Sequence, residues 1–83
     1  MKLAKYTKFR EERFGGVLFE TRSEKVYSLN PSAAAIVREI VSGTDEPQIV
    51  ERLRGRFHDG QNQLAPDIEE FLAQLRQQGL LED

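Results

Sequence analysis

The chain has 83 residues, of which 39% are hydrophobic and 31% charged, with a net charge of −2 and no cysteine. A length of this order supports one core, and the balance of apolar and charged residues argues against a disordered tail or a membrane segment. Without thiols there are no disulfides, zinc–thiolate sites, iron–sulfur ligands or thiol nucleophiles, so a cytoplasmic location is the default expectation.

The charge is unevenly placed. Residues 1–30 hold seven Lys/Arg against four Glu, a net +3, whereas residues 31–83 hold five Arg against ten Asp/Glu, a net −5. The opening Met-Lys-Leu-Ala-Lys turns polar before an apolar stretch can build, so neither a signal peptide nor an anchor is expected.

Taken in chain order, residues 6–14 alternate unevenly among Lys8, Phe9, Arg10 and Arg13, which suits an edge strand or a charged N-terminal arm. Gly15 and Gly16 then read as a turn. Val17, Leu18 and Phe19, and after them Val26, Tyr27, Ser28 and Leu29, are rich in β-branched and aromatic residues, and the polar residues 21–25 between them read as a hairpin turn. At Asn30-Pro31 the apolar period changes from that of strands to that of helices. Asn30 suits an N-cap and Pro31 the first helical position, with an apolar stripe of Ala33, Ile36, Val37, Ile40 and Val41. The small residues 33–35 suit close approach to a sheet, and Gly43 suits a left-handed helix end.

Thr44 is placed to cap a second helix that tolerates Pro47 in its first turn and turns Ile49, Val50, Leu53 and Phe57 inward. Residues 58–63 are polar and include Gly60, so a loop is expected before Pro66 opens a third helix. Its first turn is crowded by Asp67, Glu69 and Glu70, its stripe is Ile68, Phe71, Leu72 and Leu75, and Gly79 ends it ahead of a hydrophobic tail, Leu80-Leu81. The expected architecture is α+β, a three-stranded antiparallel sheet followed by three helices in a winged helix–turn–helix-like order, forming one domain over residues 1–83.

Catalytic equipment is sparse. A hydrolase triad needs a nucleophile, a base and an orienting group, and the single histidine, His58, falls beside a polar loop. Consecutive carboxylates at a helix start splay around its axis, so Asp67, Glu69 and Glu70 read as helix-dipole partners and not as metal ligands. The Gly15-Gly16 pair lacks both phosphate-binding glycine patterns, and Phe19 and Tyr27 read as hairpin packing. A DNA reader needs cations on the helix that enters the groove; the third helix offers acids, although Arg52, Arg54 and Arg56 on the second keep a winged-helix DNA-binding regulator as the alternative. No enzyme, cofactor or metal is expected.

One ordered set of residues stands out: Val26-Tyr27-Ser28-Leu29-Asn30, then Gly43-Thr44, then Ile49-Val50-x-x-Leu53, and last Asp67-Ile68-x-x-Phe71-Leu72-x-x-Leu75-x-x-x-Gly79-Leu80-Leu81. With these spacings the chain, over about residues 16–82, resembles the PqqD family, the small peptide chaperones of ribosomally made, modified peptide pathways, whose fold is also called the RiPP recognition element. The resemblance implies a cleft between the third strand and the third helix that holds the leader segment of a precursor peptide for a modifying enzyme, often a radical S-adenosylmethionine protein. Carried over by position, Val26, Tyr27, Ser28 and Leu29 form the strand along which a leader lies, and Phe71, Gln74, Leu75 and Gln78 form the opposite wall. That agrees with the residues themselves, because a sheet edge offers free N–H and C=O groups to an extended peptide. Arg22 and Lys25 at the hairpin turn read as solvated charges. The chain departs from the family pattern in its longer charged N-terminal arm and in Pro47. The arm leaves both a monomer and a homodimer open, since it can pair within the chain or with a second copy.

Overall fold

The computed structural model describes residues 1–56 and 63–83. The expectations for Phe57, His58 and Gly60 lie outside the described residues. Eight elements follow in chain order: β1 (Lys2–Leu3), β2 (Thr7–Glu12), β3 (Gly15–Glu20), β4 (Lys25–Leu29), α1 (Pro31–Val41), α2 (Glu46–Arg54), α3 (Leu64–Gln77) and β5 (Leu81–Glu82). The main sheet is antiparallel in the order β2-β3-β4, and three helices follow it, which is the expected α+β arrangement.

The register sorts the sheet's side chains. Phe9 pairs with Leu18 and Leu18 with Tyr27, so these three share a row, while Lys8, Phe19 and Val26 form the adjacent row on the opposite face. The first row faces the helices: Leu18 is buried, and Phe9 and Tyr27 pack against the core formed with Val37, Ile40, Ile49, Leu53, Ile68 and Leu72.

The glycine pair does not make a turn. Arg13 and Phe14 turn the chain, and Gly15 and Gly16 already pair with Glu12 and Glu11 as the start of β3. The reason is close approach. A Cβ on Gly15, whose φ is +141°, would lie 2.2 Å from the Leu29 carbonyl oxygen, and one on Gly16 would meet Phe9 at 2.7 Å and the Ala34 methyl at 3.3 Å. The alanines of α1 therefore do approach the sheet closely, and Ala34 and Ala35 are buried along with Ile36, Val37 and Ile40. Val41, expected on that stripe, is instead 59% exposed because the helix is ending there.

The helix ends follow the local chemistry. The Asn30 side chain accepts from the Ala33 N–H at 2.8 Å and Pro31 opens α1. Gly43 (φ +86°) and Gly79 (φ +75°) close α1 and α3 with paired carbonyl bonds of Schellman type: Thr44 N–H to Glu39 O and Gly43 N–H to Ile40 O, then Leu80 N–H to Leu75 O and Gly79 N–H to Arg76 O.

Two helix starts differ from expectation. Asp45, not Thr44, caps α2, accepting from the Gln48 N–H at 3.3 Å, because the Thr44 hydroxyl is taken by Glu39 at 2.9 Å. Helix α3 starts at Leu64, two residues before Pro66, since proline is tolerated anywhere in a first turn and Leu64 packs against the core.

The charged arm also has a definite place. Lys2 pairs with Glu82 and Leu3 with Leu81, so β1 and β5 form a two-stranded ribbon within one chain, and the Ala4 N–H extends it to Leu80 O at 2.9 Å. This ribbon lies against α1 and α3. No helix among the described residues is long and apolar enough to cross a membrane.

Candidate functional site

The two edges of the main sheet differ in kind. The β2 edge carries Lys8, Arg10, Glu11 and Glu12, charges of the sort that discourage a further strand, whereas β4 carries Lys25 alone among Val26, Tyr27, Ser28 and Leu29. Neither the N-terminal arm nor any other described strand pairs with β4 on its outer side.

Helix α3 packs chiefly on α2 and β5 and stands away from β4. Between them runs a groove of about 450 Å³ lined by Leu18, Tyr27, Ser28, Leu29, Phe71, Gln74, Leu75, Gln77, Gln78 and Leu80. Its floor is apolar and comes from the sheet's inner row, the α3 stripe and the tail that follows Gly79. Its rim is a run of amides. No Asp, Glu, Lys, Arg or His is among these residues, so the groove offers hydrogen bonds and contact area without a net charge. Across its mouth the Tyr27 hydroxyl donates to Gln78 Oε1 at 3.5 Å, a long and therefore weak bond that joins the two walls.

Seven of the eight residues carried over from the family resemblance meet here: Tyr27, Ser28 and Leu29 on one side, Phe71, Gln74, Leu75 and Gln78 on the other. Val26 does not line the groove. Strand alternation turns its side chain to the opposite face, where it is 59% exposed, and leaves its backbone on the β4 edge. Leu18, Gln77 and Leu80 line the groove without having been singled out. Leu18 had a signal in its two-residue alternation with Gly16 on the inner face, and Leu80 had one in its place directly after a helix-ending glycine. Gln77 had none.

The other charged features are occupied elsewhere. Glu39 is buried, with 5% of its surface exposed, and receives the Thr44 hydroxyl and the Arg52 guanidinium, the latter at 2.7 Å. Burial would raise its pKa; these hydrogen bonds and the charges of Arg52 and Arg56 outweigh it and hold the carboxyl below its ordinary value. Arg54 pairs with Glu51 at 2.6 Å, so both arginines of α2 considered for DNA contact, Arg52 and Arg54, are already engaged, and Arg56, which follows the helix, adds its charge to the Glu39 site. In the hairpin turn, the Ser23 side chain and its N–H, which donates at 2.6 Å, hold the Glu20 carboxyl down at about 2 with help from Arg22. Arg22 also covers the Tyr6 ring at 4.5 Å, which uses one of the turn charges at the base of the arm.

Comparison with known proteins agrees with this geometry. Two solved structures superpose on the chain with a TM-score of 0.86. "Lasso peptide synthetase B1 complexed with the leader peptide" is 22% identical, covering 99% of this chain and 96% of its own. "TbiB1 in Complex with the TbiA(beta) Leader Peptide" is 17% identical, with both chains covered in full. At these identities the likeness establishes the fold. No curated protein matches by sequence. Residues 15–81, which contain both walls of the groove, match the family described as coenzyme PQQ synthesis protein D (PqqD). By that match over most of its length, the chain belongs to the PqqD family.

Proposed function

We propose that this protein is a non-catalytic carrier that holds the leader segment of a ribosomally made precursor peptide along β4 and presents it to a modifying enzyme, with a radical S-adenosylmethionine maturase as the favoured partner. The observation that carries this reading is the coincidence of an unpaired strand edge with an uncharged, apolar-floored groove beside it. An extended guest completes the backbone hydrogen bonds of β4, whose five residues span roughly 17 Å at 3.3–3.4 Å per residue. Every second guest side chain then enters the groove, and the floor selects apolar ones. Ordering a flexible guest costs free energy, so moderate affinity is expected. Its benefit is local concentration at the enzyme.

The test is titration of the leader encoded beside this gene, followed by fluorescence anisotropy or calorimetry. Saturable binding with a Kd below about 100 μM, near −5.5 kcal/mol, is expected, and Phe71→Ala, which truncates a half-buried wall residue, weakens it by about 5- to 30-fold, or 1 to 2 kcal/mol. Absence of saturable binding by the folded protein, or an affinity indifferent to Phe71, removes the groove from the role.

A further inference from the structure

A second cavity, of about 220 Å³, opens where the groove ends, and Phe71 belongs to the lining of both. Its apolar walls come from all three helices: Ala33 and Ile36 of α1, Leu53 of α2 and Leu64 of α3. Asp67 lines this cavity and is the one charged residue among its described lining. Asp67 accepts a long 3.4 Å hydrogen bond from the Gln63 amide and takes part in no ion pair among the described residues. An apolar chamber with one carboxylate matches the shape of a lysine or arginine side chain, an aliphatic stem ending in a cation. The groove itself has no charge to offer such a residue.

We propose that this cavity is a subsite for a basic residue of the same guest peptide, immediately outside the segment that pairs with β4. The proposal rests on the leader-binding reading above. Continuity through Phe71 identifies the occupant, because a chain leaving the groove at its Leu29 end passes over this opening. Direction follows from topology. The main sheet is antiparallel throughout, and an antiparallel guest runs from the Leu29 end of β4 towards Lys25. The cavity lies at the Leu29 end, since β4 leads directly into α1, whose Ala33 lines it. The basic residue therefore precedes the strand-forming residues in the guest sequence. The contribution is a charge-assisted contact at a partly apolar site, so it affects choice of guest more than it does total affinity.

The experiment is selection from a phage library of random 16-residue peptides on the full protein, on Asp67→Asn and on Ala33→Phe, which fills the chamber. Wild-type protein is expected to enrich peptides with apolar residues two apart, preceded on the N-terminal side by Lys or Arg. Asp67→Asn is expected to lose the basic bias and keep the apolar pattern, and a synthetic winner binds it about 2- to 5-fold more weakly than wild type. Asp67 is exposed and the replacement nearly isosteric, so this variant remains decisive even if Ala33→Phe disturbs the fold. Apolar enrichment without an upstream basic bias, or a bias that survives Asp67→Asn, overturns the subsite and leaves the groove intact. Failure to enrich any peptide overturns the groove reading and the subsite with it.

Discussion

At the scale of single residues, the most consequential group is one that no motif announces. Glu39 lies on α1, Thr44 in the following turn and Arg52 on α2, and their three side chains form the polar joint between two helices. A buried carboxylate is tolerated only with its partners in place. Arg52→Ala, which leaves Glu39 with the Thr44 hydroxyl and the more distant charge of Arg56, is expected to cost about 1 to 3 kcal/mol at pH 7, the lower part of the range being set by the exposure of Arg52. The sign of the pH effect follows from the lowered pKa. The joint's contribution is complete above the ordinary carboxylate range and fades as pH falls through the lower folded-state pKa, because the protonated acid no longer holds Arg52. Urea denaturation of both proteins at pH 7 and pH 3 checks this; a gap as wide at pH 3 as at pH 7 would show that charge is not what Arg52 supplies.

At the scale of elements, capping and periodicity account for most of what was legible. Asn30-Pro31, Gly43 and Gly79 mark helix ends by short-range chemistry, so each is readable from its own neighbourhood. Thr44 and Asp45 are both good caps by type, and the choice between them was made by Glu39, which claims the Thr44 hydroxyl from the preceding helix. The glycine pair shows the same limit. Its sequence suits a turn, and its actual requirement is room for the Leu29–Asn30 backbone, which crosses the start of β3. Gly15→Ala is therefore expected to destabilise the fold by about 2 to 4 kcal/mol through both φ and overlap. It is also expected to weaken guest binding in the fraction that remains folded, because Leu29 lines the groove. Thermal unfolding together with peptide titration measures both effects, and a stability within about 0.5 kcal/mol of wild type contradicts the overlap argument.

At the scale of the whole molecule, the arm and the tail decide what is left open. By pairing with each other, β1 and β5 place the N-terminal residues against α1 and α3 and leave the β4 margin unpaired. Removing residues 1–5 is expected to lower stability by about 1 to 3 kcal/mol, through loss of the Met1 and Leu3 packing on the core and of the ribbon's hydrogen bonds. Guest affinity, corrected for the folded fraction, stays within about twofold. A large rise in affinity on truncation would mean that the arm competes for the edge in solution.

The strand and helix periods and the helix ends at Asn30-Pro31, Gly43 and Gly79 were readable from the chain, because each depends on residues within a turn or two of one another. The resemblance carried by Val26-Tyr27-Ser28-Leu29-Asn30 and the α3 stripe also pointed to the two elements that border the groove. What folding alone decided is which surfaces meet. Tyr27 and Gln78 are 51 residues apart and face each other across one opening, Val26 and Tyr27 are adjacent and face opposite ways, and the chamber beside Phe71 exists only where three helices converge. Local chemistry sets the shape of each segment over a few residues, whereas a groove is the space that separately shaped segments leave between them once the shared core is buried.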